Sequence, residues 1–139
     1  DIPEFHPRIW YFDMEWQPKG CPHEGTTTMI AIDDTHAECA IVFAWKEKQE
    51  GMTVEYIEKE GGYLLHMYEN ENDMREGFLD HLSASDPDIL IAHAMMWADL
   101  PQLMRRLTVE QSNRMSPIGQ VIRPRKNVGY RDWLPLLRI

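Results

Sequence analysis

Between its end charges, the run Arg8-Ile9-Trp10-Tyr11-Phe12-Asp13 is wholly apolar and aromatic, the pattern of a central strand buried on both faces. A loop rich in Pro, Gly and His follows over residues 17–25. Residues 26–32 and 38–45 then read as two further strands joined by an Asp33-Asp34-Thr35 turn, which gives three adjacent strands in meander order. Residues 46–62 are polar and charged. Within them Thr53-Val54-Glu55-Tyr56-Ile57 alternates as a short strand, and residues 63–68 read as its returning partner after a Gly61-Gly62 turn, so this stretch is expected to be a small hairpin excursion. Asn70 is placed to cap a helix whose first turn is acidic and whose stripe is Met74, Phe78, Leu79 and Leu82. Asp86-Pro87-Asp88 stops that helix, and residues 89–93 form a short buried strand. Asp99 is placed to cap a second helix with Pro101 in its first turn and Leu100, Leu103, Met104 and Leu107 on one face. Beyond Val109 the chain reads as an extended loop leading to a strand or helix start over residues 133–137. The expected architecture is α/β: a mixed sheet of three antiparallel strands, then helix, strand and helix.

At 139 residues the chain is one domain, large enough to bury a core without disulfides or a structural metal. No apolar run reaches the roughly 18 to 20 residues of a membrane helix, and the start lacks a signal-peptide pattern, so the expectation is no membrane partner and a cytoplasmic setting, or a nucleus or host cell depending on source. The 14 basic and 23 acidic residues give a net charge of −9, which argues against gripping nucleic acid over a broad basic face. That balance leaves room for an enzyme that meets nucleic acid through bound cations, because the ions reverse the local sign. Basic residues gather late, at Arg105, Arg106, Arg114, Arg123, Arg125, Lys126, Arg131 and Arg138, as a solvated surface or as a phosphate track.

Cys21 and His23 with His36 and Cys39 superficially resemble zinc-ligand spacing. A strand of seven residues between them spans roughly 20 Å, which separates the two pairs too far for one ion. His6, His23, His36, His66 and His81 read as surface or turn residues.

The chemistry lies in carboxylates that leave apolar runs. Asp13 and Glu15, two apart on an extended strand, share a face and are spaced to hold hard divalent cations of the magnesium or manganese kind. Asp99 has an ordinary explanation as a helix cap. It can also face a neighbouring strand's end and complete a three-carboxylate cluster, and a charge in such a place needs a partner.

Phe12-Asp13-Met14-Glu15 resembles F-D-x-E, the first motif of the DEDD exonucleases. The stretch from Asp86-Pro87-Asp88-Ile89 through His93-Ala94-Met95-Met96-Trp97-Ala98-Asp99-Leu100-Pro101 resembles the second motif as it occurs in family B DNA polymerases, roughly P-D-I-I-x-G-Y-N-x-x-x-F-D-x-P-Y-L. Arg114-Met115-Ser116-Pro117-Ile118-Gly119 is similar to the loop that follows there. The resemblance covers about residues 8–119. It implies an RNase H-like fold and the 3′-to-5′ proofreading exonuclease domain of a DNA polymerase, a nuclease and hydrolase of DNA replication that is joined to a nucleotidyltransferase. It also implies two divalent ions, Mg2+ or Mn2+, held by Asp13, Glu15 and Asp99 as the catalytic carboxylates. The implied partners are a single-stranded DNA 3′ end, met by Met14, Trp16, His93 and Trp97, and a polymerase domain of the same longer chain.

The sequence departs from that family at His93-Ala94, where it has Tyr-Asn, and at Ala98, where it has Phe, although Trp97 offers a neighbouring aromatic surface. The third motif, Y-x-x-x-D, is missing: Tyr130 is followed four places on by Leu134, and Asp132 is a weak stand-in. The expectation is an exonuclease-like domain over 1–139, truncated before its third motif and catalytically incomplete. Two alternatives stay open: a non-catalytic scaffold of the same fold that binds DNA or a polymerase domain, and a stand-alone DEDD nuclease acting on RNA.

Overall fold

The first strand fixes how the layers are arranged. In the computed structural model, which describes residues 3–121, β1 spans Ile9–Trp16 and alternates strictly. Trp10, Phe12 and Met14 are buried, while Tyr11 is 48% exposed and Asp13 and Glu15 are open to solvent. The strand is therefore covered on one face only, which corrects the expectation of burial on both.

Behind β1 come β2 (Thr27–Asp34), β3 (Ala40–Trp45), β4 (Thr53–Ile57) and β5 (Tyr63–Tyr68), then α1 (Glu71–Ser85), β6 (Ile89–Ile91), α2 (Leu100–Arg106) and α3 (Val109–Asn113). The strands form one six-stranded mixed sheet in the order β4-β5-β3-β2-β1-β6. β1 with β2, β2 with β3 and β4 with β5 are antiparallel, whereas β3 with β5 and β1 with β6 are parallel. The sheet is thus larger than the three strands expected. β5 pairs with β3 from Ala40↔Tyr63 to Trp45↔Tyr68, so β4 and β5 widen the sheet instead of standing off as a hairpin. Parallel neighbours need a crossover of a dozen or more residues, and residues 46–62 supply it.

α1 begins where Asn70 accepts the Asp73 N–H, at 2.8 Å, and it lays Met74, Phe78, Leu79 and Leu82 on the face that buries Trp10, Ile30, Ile32 and Phe43. Each such side chain contributes about 1.5–3 kcal/mol by burial. The helix ends at Asp86 in a left-handed conformation (φ 46°). Asp88 then accepts the Arg8 N–H at 2.7 Å and returns its own N–H to the Arg8 carbonyl, which aligns β6 beside β1. α2 and α3 are tied to α1 by ion pairs. Arg106 meets Glu71 at 2.6 Å, and Arg114 reaches Glu76 and Asp80. These two arginines are neutralised within the fold and are not part of an open phosphate track. α3, unforeseen in a stretch read as loop, is held by a capping box between Thr108 and Gln111.

Two histidines expected at the surface are instead half-buried against rings of the core. His81 stacks on Trp10 with ring centroids 5.2 Å apart, and His66 lies against Phe43 at 5.1 Å. The turn expected from Asp33 starts two residues later, at Thr35, since β2 continues through both aspartates. Asp34 is 3% exposed and accepts N–H groups of Arg8, the Trp10 indole and His36. The opposite face of the sheet carries Tyr11, Asp13, Glu15, Ala31 and Val42, all exposed or half-buried. Among the described residues no helix is long and apolar enough to cross a membrane. The expected element at 133–137, the late basic residues from Arg123 onward, and Tyr130, Asp132 and Leu134 lie outside the described residues.

Candidate functional site

Asp13 and Glu15 project from β1 on the face opposite the core, the side the period of two assigns them. Asp13 pairs across to Ala31 and Glu15 to Met29, and the ladder slips between Glu15 and Trp16, so regular pairing stops just past the second acid. One Asp13 oxygen accepts the Met14 N–H at 2.9 Å. Trp16 is half-buried against the core.

The second segment leaves β6 and enters a wide turn, Met95–Asp99, in which the N–H groups of Ala98 and Asp99 both reach the Ala94 carbonyl, at 2.9 and 3.2 Å. Such i→i+5 turns are rare and concentrate at functional sites. This one runs directly into α2, whose Leu100 N–H is already taken by Met95. Asp99 consequently sits inside continuous helix (φ −62°, ψ −57°) and caps nothing, which corrects the expectation of an N-cap. Its carboxylate turns back instead to accept the Ala94 N–H at 3.2 Å.

Asp99 is 5% exposed. Burial raises its pKa above the usual carboxylate value and the negative charge of Asp13 adds to that, while the Ala94 N–H and His93 pull the other way. Asp99 is therefore a buried acid whose charged form is disfavoured where it sits.

The two segments meet at one cleft of about 260 Å³. Asp13, Glu15, His93 and Asp99 line it together with Trp16 and Ala98, and Met14 borders it from the core side, only 2% exposed. Six of the seven residues expected at the site thus surround one space. The side chain of the seventh, Trp97, lies outside the described parts of the chain. Among the described residues no lysine or arginine lines the cleft.

The donors available are carboxylate oxygens, the ligand type for hard divalent cations. A buried acid beside a like charge is also an arrangement that a cation relieves. Among the described residues, however, no three His, Cys, Asp or Glu side chains stand close enough to hold one ion as they are placed. The donor chemistry fits, and the three acids border the cleft without closing on a point.

The residue that reading the sequence missed is Ala94, whose amide holds Asp99 and whose carbonyl anchors the wide turn. Its side chain carries no signal for either role. No family model matches this chain, and no curated protein does.

Proposed function

We propose that the chain carries the first two carboxylate motifs of a 3′-to-5′ exonuclease domain with the RNase H-like layout, acting on a single-stranded DNA 3′ end beside the polymerase domain of a family B DNA polymerase. The observation that carries this reading is Asp99: a buried acid, released from any capping role, facing the same cleft as Asp13 and Glu15. The order of the four strands β3-β2-β1-β6, with β6 parallel to β1, is compatible with it.

In this proposal Asp13, Glu15 and Asp99 hold two divalent cations, Mg2+ or Mn2+. When bound, these supply an activated water and neutralise the leaving 3′ oxygen. Asp99 is positioned by the Ala94 amide, and its burial keeps one wall of the site dry. Asp13 and Glu15 face solvent, where a strand end can approach. Trp16 and His93 border the path of the terminal nucleotides. The cleft repels a phosphodiester unless cations are present, so DNA binding is expected to depend wholly on them. The sequence has no Y-x-x-x-D after Asp99, so a fourth carboxylate and a tyrosine to orient the water must come from elsewhere.

The test is Mn2+ binding to the 139-residue chain followed by electron paramagnetic resonance, together with excision assays. Asp13→Ala, Glu15→Ala and Asp99→Ala are each expected to weaken Mn2+ binding at least tenfold. In a polypeptide that includes the polymerase domain, each is expected to remove excision and leave polymerisation intact. Excision that survives all three substitutions refutes the proposal. On single-stranded DNA with Mg2+ the 139-residue chain alone is expected to be almost inactive. The absence of a closed three-donor group among the described residues favours one second reading, a non-catalytic scaffold of the same layout. Failure of the wild-type chain to bind Mn2+ would select it.

A further inference from the structure

Asp13 borders two hollows. One is the acidic cleft, and the other is a depression of about 240 Å³ on the open face of the sheet, where β1, β2 and β3 run side by side. Its lining is of a different kind. Tyr11 and the two small residues Ala31 and Ala40 make it apolar, Phe12 and Ile32 border it from between them with their own side chains buried in the core on the other face, and Asp33 stands at its edge. Tyr11 is 48% exposed, which leaves its ring free to be covered. Alanines on β2 and β3 leave room beside that ring which larger residues would fill.

The two hollows call for opposite chemistry. Cations in the acidic cleft take phosphate, whereas an apolar shelf beside an exposed phenol takes a flat, weakly polar ring. Tyr11 and Asp13 lie two residues apart on one face, about 7 Å along the strand. That separation is comparable to the reach from the phosphate of a nucleotide across its sugar to the base. We propose that the depression is a nucleobase subsite, in which the base of the nucleotide whose phosphate lies at Asp13 stacks on Tyr11 and offers its exocyclic amine to Asp33. The inference rests on the exonuclease reading of the cleft and deepens it by assigning where a base sits and which bases are favoured. Carboxylates accept from the amine of cytosine, and adenine carries a similar donor, whereas thymine presents only acceptors and a methyl group on that edge. Terminal cytosine and adenine are therefore preferred over thymine.

The experiment uses the 139-residue chain and a single-stranded oligonucleotide with 2-aminopurine at its 3′ end and a fluorescein at its 5′ end, in Mg2+. Anisotropy reports binding and 2-aminopurine quenching reports stacking of the terminal base. Wild type is expected to bind in a Mg2+-dependent manner and to quench the probe. Tyr11→Ala is expected to abolish the quenching and raise Kd by about 5- to 150-fold, the range that corresponds to removal of a stacking aromatic. Tyr11→Phe keeps both properties, and Asp33→Asn narrows the preference for terminal cytosine over thymine. Unchanged quenching in a folded Tyr11→Ala, with binding still lost in Asp13→Ala, overturns the subsite and leaves the exonuclease reading standing. Binding indifferent to Mg2+ and Asp13→Ala, or no binding at all, overturns both.

Discussion

The two most buried aspartates among the described residues predict opposite responses to the same substitution. Asp34 and Asp99 are 3% and 5% exposed. Asp34 is enclosed by donors: its oxygens accept from Arg8 Nε and Nη2, from the Trp10 indole at 2.9 Å and from the His36 N–H at 2.8 Å. Burial pulls its pKa up, yet Arg8, the His36 N–H and the indole outweigh burial and hold it below the usual value. Asp34→Asn would turn an amide NH2 toward groups that can only donate and would leave the Arg8 guanidinium unpaired. Breaking such a pair costs about 3–5 kcal/mol. Asp99 lies instead beside a like charge, and the Ala94 N–H that it accepts can bond equally to an amide oxygen. Asp99→Asn removes the desolvated charge and its repulsion with Asp13, and should stabilise the fold by about 0.5–2 kcal/mol, the usual gain from relieving an unfavourable charge.

For a chain of this length roughly 3 °C accompanies each kcal/mol. Thermal unfolding followed by circular dichroism at pH 7 in EDTA should therefore give a Tm about 10 °C or more below wild type for Asp34→Asn and a few degrees above it for Asp99→Asn. The same Asp99→Asn protein should have lost Mn2+ binding. A fall in Tm of more than about 3 °C for Asp99→Asn, comparable to loss of a helix cap, would show that Asp99 serves the fold, and the argument for a functional acid at that position would collapse.

Three further outcomes follow from the packing. His66 and His81 have pKa values lowered, in both by burial first and in His81 also by the charge of His66. Since the folded state resists protonating them, their contribution is complete above the unfolded value near 6.5 and is lost as pH falls below it, by up to about 1.4 kcal/mol per pH unit per group. Chemical denaturation at pH 7 and pH 5 should show that loss in wild type and a smaller one in His81→Phe, which keeps a ring against Trp10. Glu71 holds Arg75 at 2.8 Å and Arg106 at 2.6 Å and accepts the Thr27 N–H, and Arg75 is only 8% exposed. Glu71→Ala strands that guanidinium and should cost about 3–5 kcal/mol in urea unfolding, whereas Arg106→Ala should cost much less. Gly77→Ala would ordinarily favour a helix by about 1 kcal/mol. Here a Cβ would overlap the Tyr68 ring, and a net loss of about 1–2 kcal/mol is expected from the same measurement.

Local patterns announced most of the elements, because each carried its own periodicity or cap. The 2.0 period of β1 put both acids on one face, and Asn70 before an acidic turn marked the start of α1. What could not be read were relations between distant segments. Nothing in Thr53-Val54-Glu55-Tyr56-Ile57 or its returning partner says that β5 will lie parallel to β3, since that pairing depends on where α1 finds a surface to cover. His66 and His81 are polar by type, which points to the surface. In the fold they are half-buried, each with its imidazole against an aromatic ring of the core.

The second segment makes the same point for the site. By sequence, Asp99 before Leu100-Pro101 has every feature of an N-cap, and capping is the ordinary fate of such a residue. It does not cap because the chain is already helical from Met95 onward, in a wide turn anchored on the Ala94 carbonyl. Backbone geometry set by a residue without chemistry of its own thus decides whether the aspartate is spent on the helix or left for the cleft. Replacing Ala94 with proline, which removes the amide that Asp99 accepts, should therefore impair Mn2+ binding as much as removing Asp99 itself. Asp99→Asn, in contrast, should leave α2 intact by circular dichroism.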